Sequence, residues 1–215
     1  ARLLEAVRAV KPDAKIYQAG SSEMFGKVQE TPQKETTPFY PRSPYGCAKA
    51  YTFYLGRAYR EGYGMKIYNG ICFNHESPRR GDQFLSTKVV RAAVRIKKGL
   101  QEGLQLGNLE AKRDWGSAKE YAYWIWKMVQ GRPDDFVIAT GETHSVQEFV
   151  EETFNYLGLN WKDYVVIDND LKRPAEVDYL QGDYSKAERI LGYKPQTKFK
   201  DLIKWMVDEE LKKYD

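Results

Sequence analysis

Tyr45 and Lys49 stand four residues apart in the word Tyr-Gly-Cys-Ala-Lys. On a helix that spacing puts both side chains on one face. An ammonium beside a phenol favours the phenolate, which makes the phenol a usable acid and base. Alone the pair says little. Tyr123 and Lys127 repeat the spacing in a chain with 16 tyrosines, and a Tyr resting on a Lys stem is the ordinary outcome. Context separates the two pairs. Upstream of Tyr45 lies Ser21-Ser22-Glu23, directly after residues 15–19, which read as a strand. Ligands of open α/β sheets sit at the carboxyl ends of strands, where a hydroxyl and a carboxylate can reach them. Tyr123 has no such neighbour. It lies among Tyr121, Trp124 and Trp126, a group that predicts packing.

The elements that must hold these residues follow from periodicity. Leu3, Leu4, Ala6, Val7 and Val10 have helical spacing before Pro12. Residues 27–43 carry Pro32, Pro38 and Pro41 and predict a loop, after which Pro44 suits the first turn of a helix running to about Gly62. A strand is expected over 65–73, a polar loop over 74–83, and a helix over 84–98 closed by Gly99. Short strands are expected at 104–106, 136–139 and 165–168, and helices at 117–130, 185–191 and 199–213. Ser145 with Glu148 forms a capping box for one more helix. Strand and helix alternate, which predicts an α/β fold with a mainly parallel sheet.

Counting removes several classes. A chain of 215 residues can bury roughly 70% of its unfolded surface, enough for one good core. The net charge is +4 from 34 basic and 30 acidic residues. That is less than the dense basic face of a dedicated nucleic-acid binder, and no nucleic-acid partner is expected. No apolar run approaches a membrane span. Cys47 and Cys72 are the only cysteines and His75 and His144 the only histidines. They exclude a disulfide scaffold and leave no expected metal site. No charged and apolar leader opens the chain, so the expected location is cytoplasmic.

Longer words narrow the reading. They are Tyr17-Gln18-Ala19, Ser22-Glu23-Met24-Phe25-Gly26, Phe39-Tyr40-Pro41-Arg42-Ser43-Pro44-Tyr45, Asn74-His75-Glu76-Ser77-Pro78-Arg79-Arg80-Gly81, Lys112-Arg113-Asp114-Trp115-Gly116 and Arg173-Pro174-Ala175-Glu176-Val177-Asp178. Strand, Ser-x-Glu and Tyr-x-x-x-Lys resemble the extended short-chain dehydrogenase/reductases that act on nucleotide sugars. The longer words resemble the GDP-mannose 4,6-dehydratase family within them. The word from Asn74 to Gly81 is especially specific, since related decarboxylases and epimerases carry Asn-x-Tyr-Gly-Pro there.

This resemblance implies a Rossmann-type parallel sheet for NAD(P), incomplete here, with a smaller substrate lobe. Residues 1–74 and 112–143 would form the first and 75–111 with 144–215 the second. It implies dehydration of GDP-mannose to GDP-4-keto-6-deoxymannose by internal hydride transfer through bound NADP, within GDP-fucose biosynthesis. Tyr45 would take the 4-hydroxyl proton, Ser21 would donate to the carbonyl, and Glu23 would remove the C5 proton. Lys49 would tune Tyr45 and hold the nicotinamide ribose. Asn74, Lys88, Arg113, Arg173 and Glu176 would contact substrate, with Arg suited to bidentate phosphate recognition. His75 and Arg79 would lie beside the cofactor. A homo-oligomer, dimer or tetramer, is implied as well.

Two departures stand out. Gly20-Ser21-Ser22-Glu23 replaces Ser-Thr-Ser-Glu; Ser21 keeps the hydroxyl, and Gly20 is expected to loosen the backbone. No Gly-x-Gly-x-x-Gly turn is present, and Gly20 to Lys27 fails the phosphate-loop spacing. The chain opens inside a helical pattern, so the resemblance is expected to cover about the last two-thirds of a family member. Two other readings stay open: another nucleotide-sugar reductase, epimerase or decarboxylase, or a GDP-sugar-binding fragment without turnover.

Overall fold

The structure, a computed structural model, describes residues 1–171 and 175–214. Helix α1 (Arg2–Val10) turns Leu4 onto Met65 and Ile67. Strand β1 (Lys15–Ser21) follows. Helix α2 (Pro44–Tyr63) starts where Ser43 accepts the Gly46 N–H at 3.0 Å, with Pro44 at the first helical position, where no N–H is needed. It ends at Gly64, whose φ of +67° suits a residue without Cβ. Strand β2 (Lys66–Cys72) is buried at every position after Lys66, as a central parallel strand must be.

Beyond it come β3 (Asn74–Glu76), α3 (Leu85–Lys97), β4 (Leu104–Leu106), β5 (Lys112–Arg113), β6 (Trp115–Ser117) and α4 (Ala118–Met128). Next are β7 (Asp135–Ile138), β8 (His144–Ser145), and α5 (Val146–Tyr156) with its capping box in place. The last elements are β9 (Val165–Ile167), α6 (Ser185–Leu191) and α7 (Phe199–Leu211).

The main sheet has the order β1-β2-β7, all parallel. On one face Met24, Phe25, Phe53, Ile71 and Val137 pack under α2. On the other, Tyr68, Phe136 and Ile138 meet Tyr121 of α4, Ala187 of α6 and Tyr193. A separate apolar cluster joins α3, α5 and α7 through Ala93, Phe149, Leu202 and Met206, with Leu104 and Leu106 of β4. β4 pairs with β9, and β5 with β8.

Three expectations are corrected. The stretch 74–83 is not all loop: β3 pairs in parallel with β6, Asn74 opposite Trp115. Three polar residues whose partner lies forty positions on carry no local strand signal. Gly20 is not a loose point either. It lies in β1 opposite Ile71, and a Cβ there would stand 2.8 Å from the Gly70 carbonyl oxygen and 3.2 Å from Met24 Cε. Third, the α4 aromatics do not all pack. Tyr121 is buried, whereas Tyr123 and Trp126 are about half exposed.

The loop between β1 and α2 is strapped to the sheet. Gln33, fully buried, accepts from Gln181 N through its side chain and pairs by backbone with Gln181 and Asp183. Glu35 accepts the Val137 N–H at 2.8 Å along the outer side of β7. Burial raises its carboxyl above the usual range.

Asp135 is the buried charge under the sheet. It accepts from Arg57 and Asn69 and pairs with Arg60 at 2.8 Å. Removing one member of such a group leaves the others buried and unpaired. Asp135→Ala is expected to cost about 3–5 kcal/mol in urea unfolding, and Arg57→Ala clearly less, because Arg57 is partly exposed.

Candidate active site

β1, β2 and β7 end side by side: Ser21 is in register with Cys72, and Cys72 with Ile138. The chain leaves each strand toward a different candidate. β1 runs into a single 3-10 turn, Ser22–Met24, that carries Glu23. β2 runs through Phe73 to Asn74 and His75. β7 runs to Thr140.

Ser21 Oγ caps the turn by accepting the Glu23 N–H at 3.2 Å. A hydroxyl has one proton to give. Accepting from Glu23 does not use that proton. Glu23 is half-buried. The first turn of α2 lies directly against it: a Cβ on Gly46 would stand 2.7 Å from the Glu23 carbonyl oxygen. Gly46 therefore lets the helix start, with Tyr45 in its first turn, directly against the Glu23 backbone. Tyr45 itself is 54% exposed. Lys49 Nζ lies 5.5 Å from the Tyr45 ring centroid and donates to the Ala19 carbonyl at 2.8 Å. Gln18 supports this arrangement from β1 by donating to Thr52 Oγ1 at 3.1 Å, while Thr52 donates to the Lys49 carbonyl.

The Tyr123–Lys127 pair has nearly the same internal geometry, 5.9 Å from Nζ to the centroid. It differs in place, on the later turns of α4 rather than at the start of α2. Cys72, below the rim, is buried and hydrogen-bonded with Tyr17. Burial pushes its thiol up to about 11, so it supplies no thiolate nucleophile.

The other expected residues fall into two groups. Asn74 and His75 sit on β3; His75 Nδ1 is 2.8 Å from the Phe73 carbonyl, and its ring stacks on Tyr121 at 5.1 Å. Arg79 is exposed in the turn that follows, its N–H on Ser77 Oγ. Buried Glu76 accepts from Ser86 at 2.6 Å and pairs with Arg80, tying β3 to the first turn of α3. Lys88, two residues on, donates to the Gln105 carbonyl and borders an open cavity of about 520 Å³ with Gln101, Leu104, Val166 and Leu171. Arg113 and Glu176 meet: the guanidinium is 3.6 Å from the carboxylate. Arg113 is almost buried, 9% exposed. Arg173 lies outside the described residues.

Sequence reasoning passed over Asp114, although its word was singled out. It is fully buried and accepts four hydrogen bonds, from Thr140 N and Oγ1, Gly141 N and Gly182 N. An acidic residue between a basic pair and Trp115 was the available signal. Among the described residues no group of three or more His, Cys, Asp or Glu is placed to hold a metal ion, and no helix is long and apolar enough to cross a membrane.

The sequence model described as GDP-mannose 4,6 dehydratase matches residues 1–206. The chain belongs to the GDP-mannose 4,6-dehydratase family. "GDP-mannose 4,6 dehydratase 2" of Arabidopsis thaliana is 58% identical over 215 residues. That match covers 98% of this chain and 57% of the relative's length. The fold is shared with RMD from Pseudomonas aeruginosa, solved with NADPH, at a TM-score of 0.89 and 22% identity. That alignment covers 98% of this chain and 71% of the other. The dTDP-glucose 4,6-dehydratase from Bacillus anthracis, solved with NAD, aligns at a TM-score of 0.85 and 24% identity, covering 98% and 65%. Both the Ser-x-Glu and the Tyr-x-x-x-Lys words lie within the residues that match the family.

The rim fits one end of a dinucleotide. A lysine ammonium has three protons to donate, and Lys49 spends one on Ala19, leaving two for ribose hydroxyls. The packing that sets Tyr45 is testable. Gly46→Ala places a methyl group 2.7 Å from the Glu23 carbonyl and 3.0 Å from Pro41 Cβ. It is expected to cost about 1–3 kcal/mol in thermal unfolding, by forcing α2 away from the turn.

Proposed function

We propose that this chain carries the catalytic residues of a GDP-mannose 4,6-dehydratase, which converts GDP-mannose to GDP-4-keto-6-deoxymannose with bound NADP. The observation that carries the reading is the rim itself. Ser21 ends β1 and leads into Glu23, the first turn of α2 lies against the Glu23 carbonyl, and Lys49 lies beside the Tyr45 ring and on the Ala19 carbonyl; this supports the reading, because the chemistry needs a hydroxyl donor, a carboxylate and a phenol base at one place.

The bound nicotinamide supplies a hydride acceptor that later becomes a hydride donor, so no net oxidation occurs. Tyr45 takes the proton of the sugar 4-hydroxyl. Ser21 donates its free proton to the same oxygen as that oxygen becomes a carbonyl, which stabilises the charge developing there. The carbonyl acidifies the neighbouring C5–H. Glu23 removes that proton as water departs from C6. Lys49 holds the ribose and keeps positive charge beside the Tyr45 ring.

Arg113 is assigned to the diphosphate. Its loose pairing with Glu176 would give way to a bidentate phosphate contact, the geometry that guanidinium favours. Lys88 and its cavity are assigned to the nucleotide end, Asn74 to the sugar, and His75 and Arg79 to the cofactor side. Arg173 is carried by the family word alone. The lobe division at 1–74 with 112–143, and 75–111 with 144–215, is supported by the separate apolar clusters, although α6 and Tyr193 pack on the main sheet. A cytoplasmic location, a homo-oligomeric state and a role in GDP-fucose synthesis complete the reading on family grounds.

The test is to mix the protein with GDP-mannose and NADP and look by mass spectrometry for a sugar nucleotide lighter by one water. Product is expected. Glu23→Gln should abolish it while nucleotide binding stays, and Tyr45→Phe should slow it by about 10²–10⁴-fold. Binding of GDP-mannose without product in the unaltered chain would favour the reading as a GDP-sugar-binding fragment. Unchanged turnover in Glu23→Gln would remove the role assigned to that carboxylate.

A further inference from the structure

Asp114 lies next to Arg113 in the chain, yet no step above uses it. Its side chain joins three segments that are far apart in sequence. Oδ1 accepts the Thr140 N–H at 2.8 Å and the Thr140 hydroxyl at 2.7 Å. Oδ2 accepts the Gly141 N–H at 2.9 Å and the Gly182 N–H at 3.2 Å. Thr140 and Gly141 follow β7, so Asp114 locks the end of the main sheet to β5 and β6. Gly182 belongs to the stretch that also carries Glu176. That stretch is laced to β5 directly: Lys112 N donates to the Asp178 carbonyl, and Leu180 N donates to the Lys112 carbonyl. Arg113 is thus held on both sides, opposite His144 on β8 and beside the 176–182 segment.

We propose that Asp114 is a positioning residue for nucleotide-sugar binding: in its ionised form it fixes Arg113 and the Glu176-bearing segment against the carboxyl end of the sheet. The proposal rests on the assignment of Arg113 to the diphosphate. Three of the four donors are backbone N–H groups, which cannot reverse. The Thr140 hydroxyl can turn to accept, but Gly141 and Gly182 cannot. A proton on the carboxyl therefore leaves at least one of these N–H groups facing a donor or a weakened acceptor.

Protonation occurs in an accessible range. Burial is the largest influence on the Asp114 carboxyl and pushes it up to about 6, while the four donors pull the other way. The other titratable groups facing it are the phenols of Tyr121 from α4 and Tyr193 after α6, with Glu120 adding negative charge nearby. Burial raises both phenols, so both are neutral in this range. The sign on global stability is opposite to the sign on local order. A carboxyl whose folded value is raised contributes stability at low pH that is lost as pH rises through about 6. Acid thus relieves the buried charge while it loosens the junction. A purely structural role predicts that stability and junction order move together.

The experiment has two arms. The first is hydrogen exchange by mass spectrometry on the ligand-free protein, at neutral pH and below about 6, corrected for intrinsic rates. Peptides covering 112–115, 139–142 and 180–183 are expected to lose protection together in acid, with no matching fall in melting temperature. Asp114→Asn should show that loss at both pH values. Thr140→Val removes only the hydroxyl donor and serves if Asp114→Asn does not fold; it should sharpen the acid loss at 139–142. Protection unchanged in acid, or lost at one segment alone, would overturn the proposal.

The second arm is calorimetry with GDP-mannose, whose phosphates are diesters with no ionisation in this range. Affinity is expected to fall about tenfold across the Asp114 transition, and to be about tenfold weaker without a pH break in Asp114→Asn. Wild-type affinity and pH break in Asp114→Asn would overturn the positioning role. No binding by the unaltered protein at any pH would instead overturn the assignment of Arg113 to substrate, and the exchange arm would still decide the junction.

Discussion

Three parallel strands end at one level because Ser21 pairs with Cys72 and Cys72 with Ile138. Everything that can do chemistry hangs on that register. A slip by one residue would turn Ser21 to the opposite face and carry Glu23 away from the helix start. The register is held by what lies beneath the rim. β2 is buried throughout its paired length, and Asp135 with its arginines and Asn69 anchors α2 to β7 under the sheet. The exposed residues at the top inherit their geometry from the buried ones beneath them.

Close approach is the second means of placement. Gly20 lets β1 lie against the Gly70 carbonyl and the Met24 side chain, and Gly46 lets α2 begin against the carbonyl of Glu23. Neither has a positive φ. Both are needed for what they lack, a Cβ, rather than for conformational freedom. The turn that carries Glu23 and the helix start that carries Tyr45 are thus packed together by two hydrogen atoms standing where side chains would be.

The sequence carried the long elements well. Helical spacing, Pro44 after the proline-rich loop and the Ser145–Glu148 box marked helices that the structure contains. The word patterns carried the family. What stayed hidden is non-local. β3 is three polar residues made a strand only by β6, and the Arg113–Glu176 pair joins residues more than sixty positions apart. Asp114 was visible as a letter but not as a junction, since its donors are backbone N–H groups with no identity in the sequence. Tyr123 and Trp126 misled in the other direction: aromatic spacing on α4 suggested a packed face, and half of it is open.

The loop strap has a consequence for how this sheet meets other molecules. β7 is the last strand on its side among the described residues, and a last strand presents backbone donors that any passing extended chain can use. Here the Val137 donor is taken by the Glu35 carboxylate, and Gln33 and its neighbours fill the space alongside by pairing with residues 181–183. A carboxylate has no donor of its own to pass on while ionised, so it ends the ladder instead of extending it. The sheet is closed on that flank by a side chain that cannot template another strand, and the protein gains protection against edge-to-edge aggregation from the same loop that leads into Tyr45.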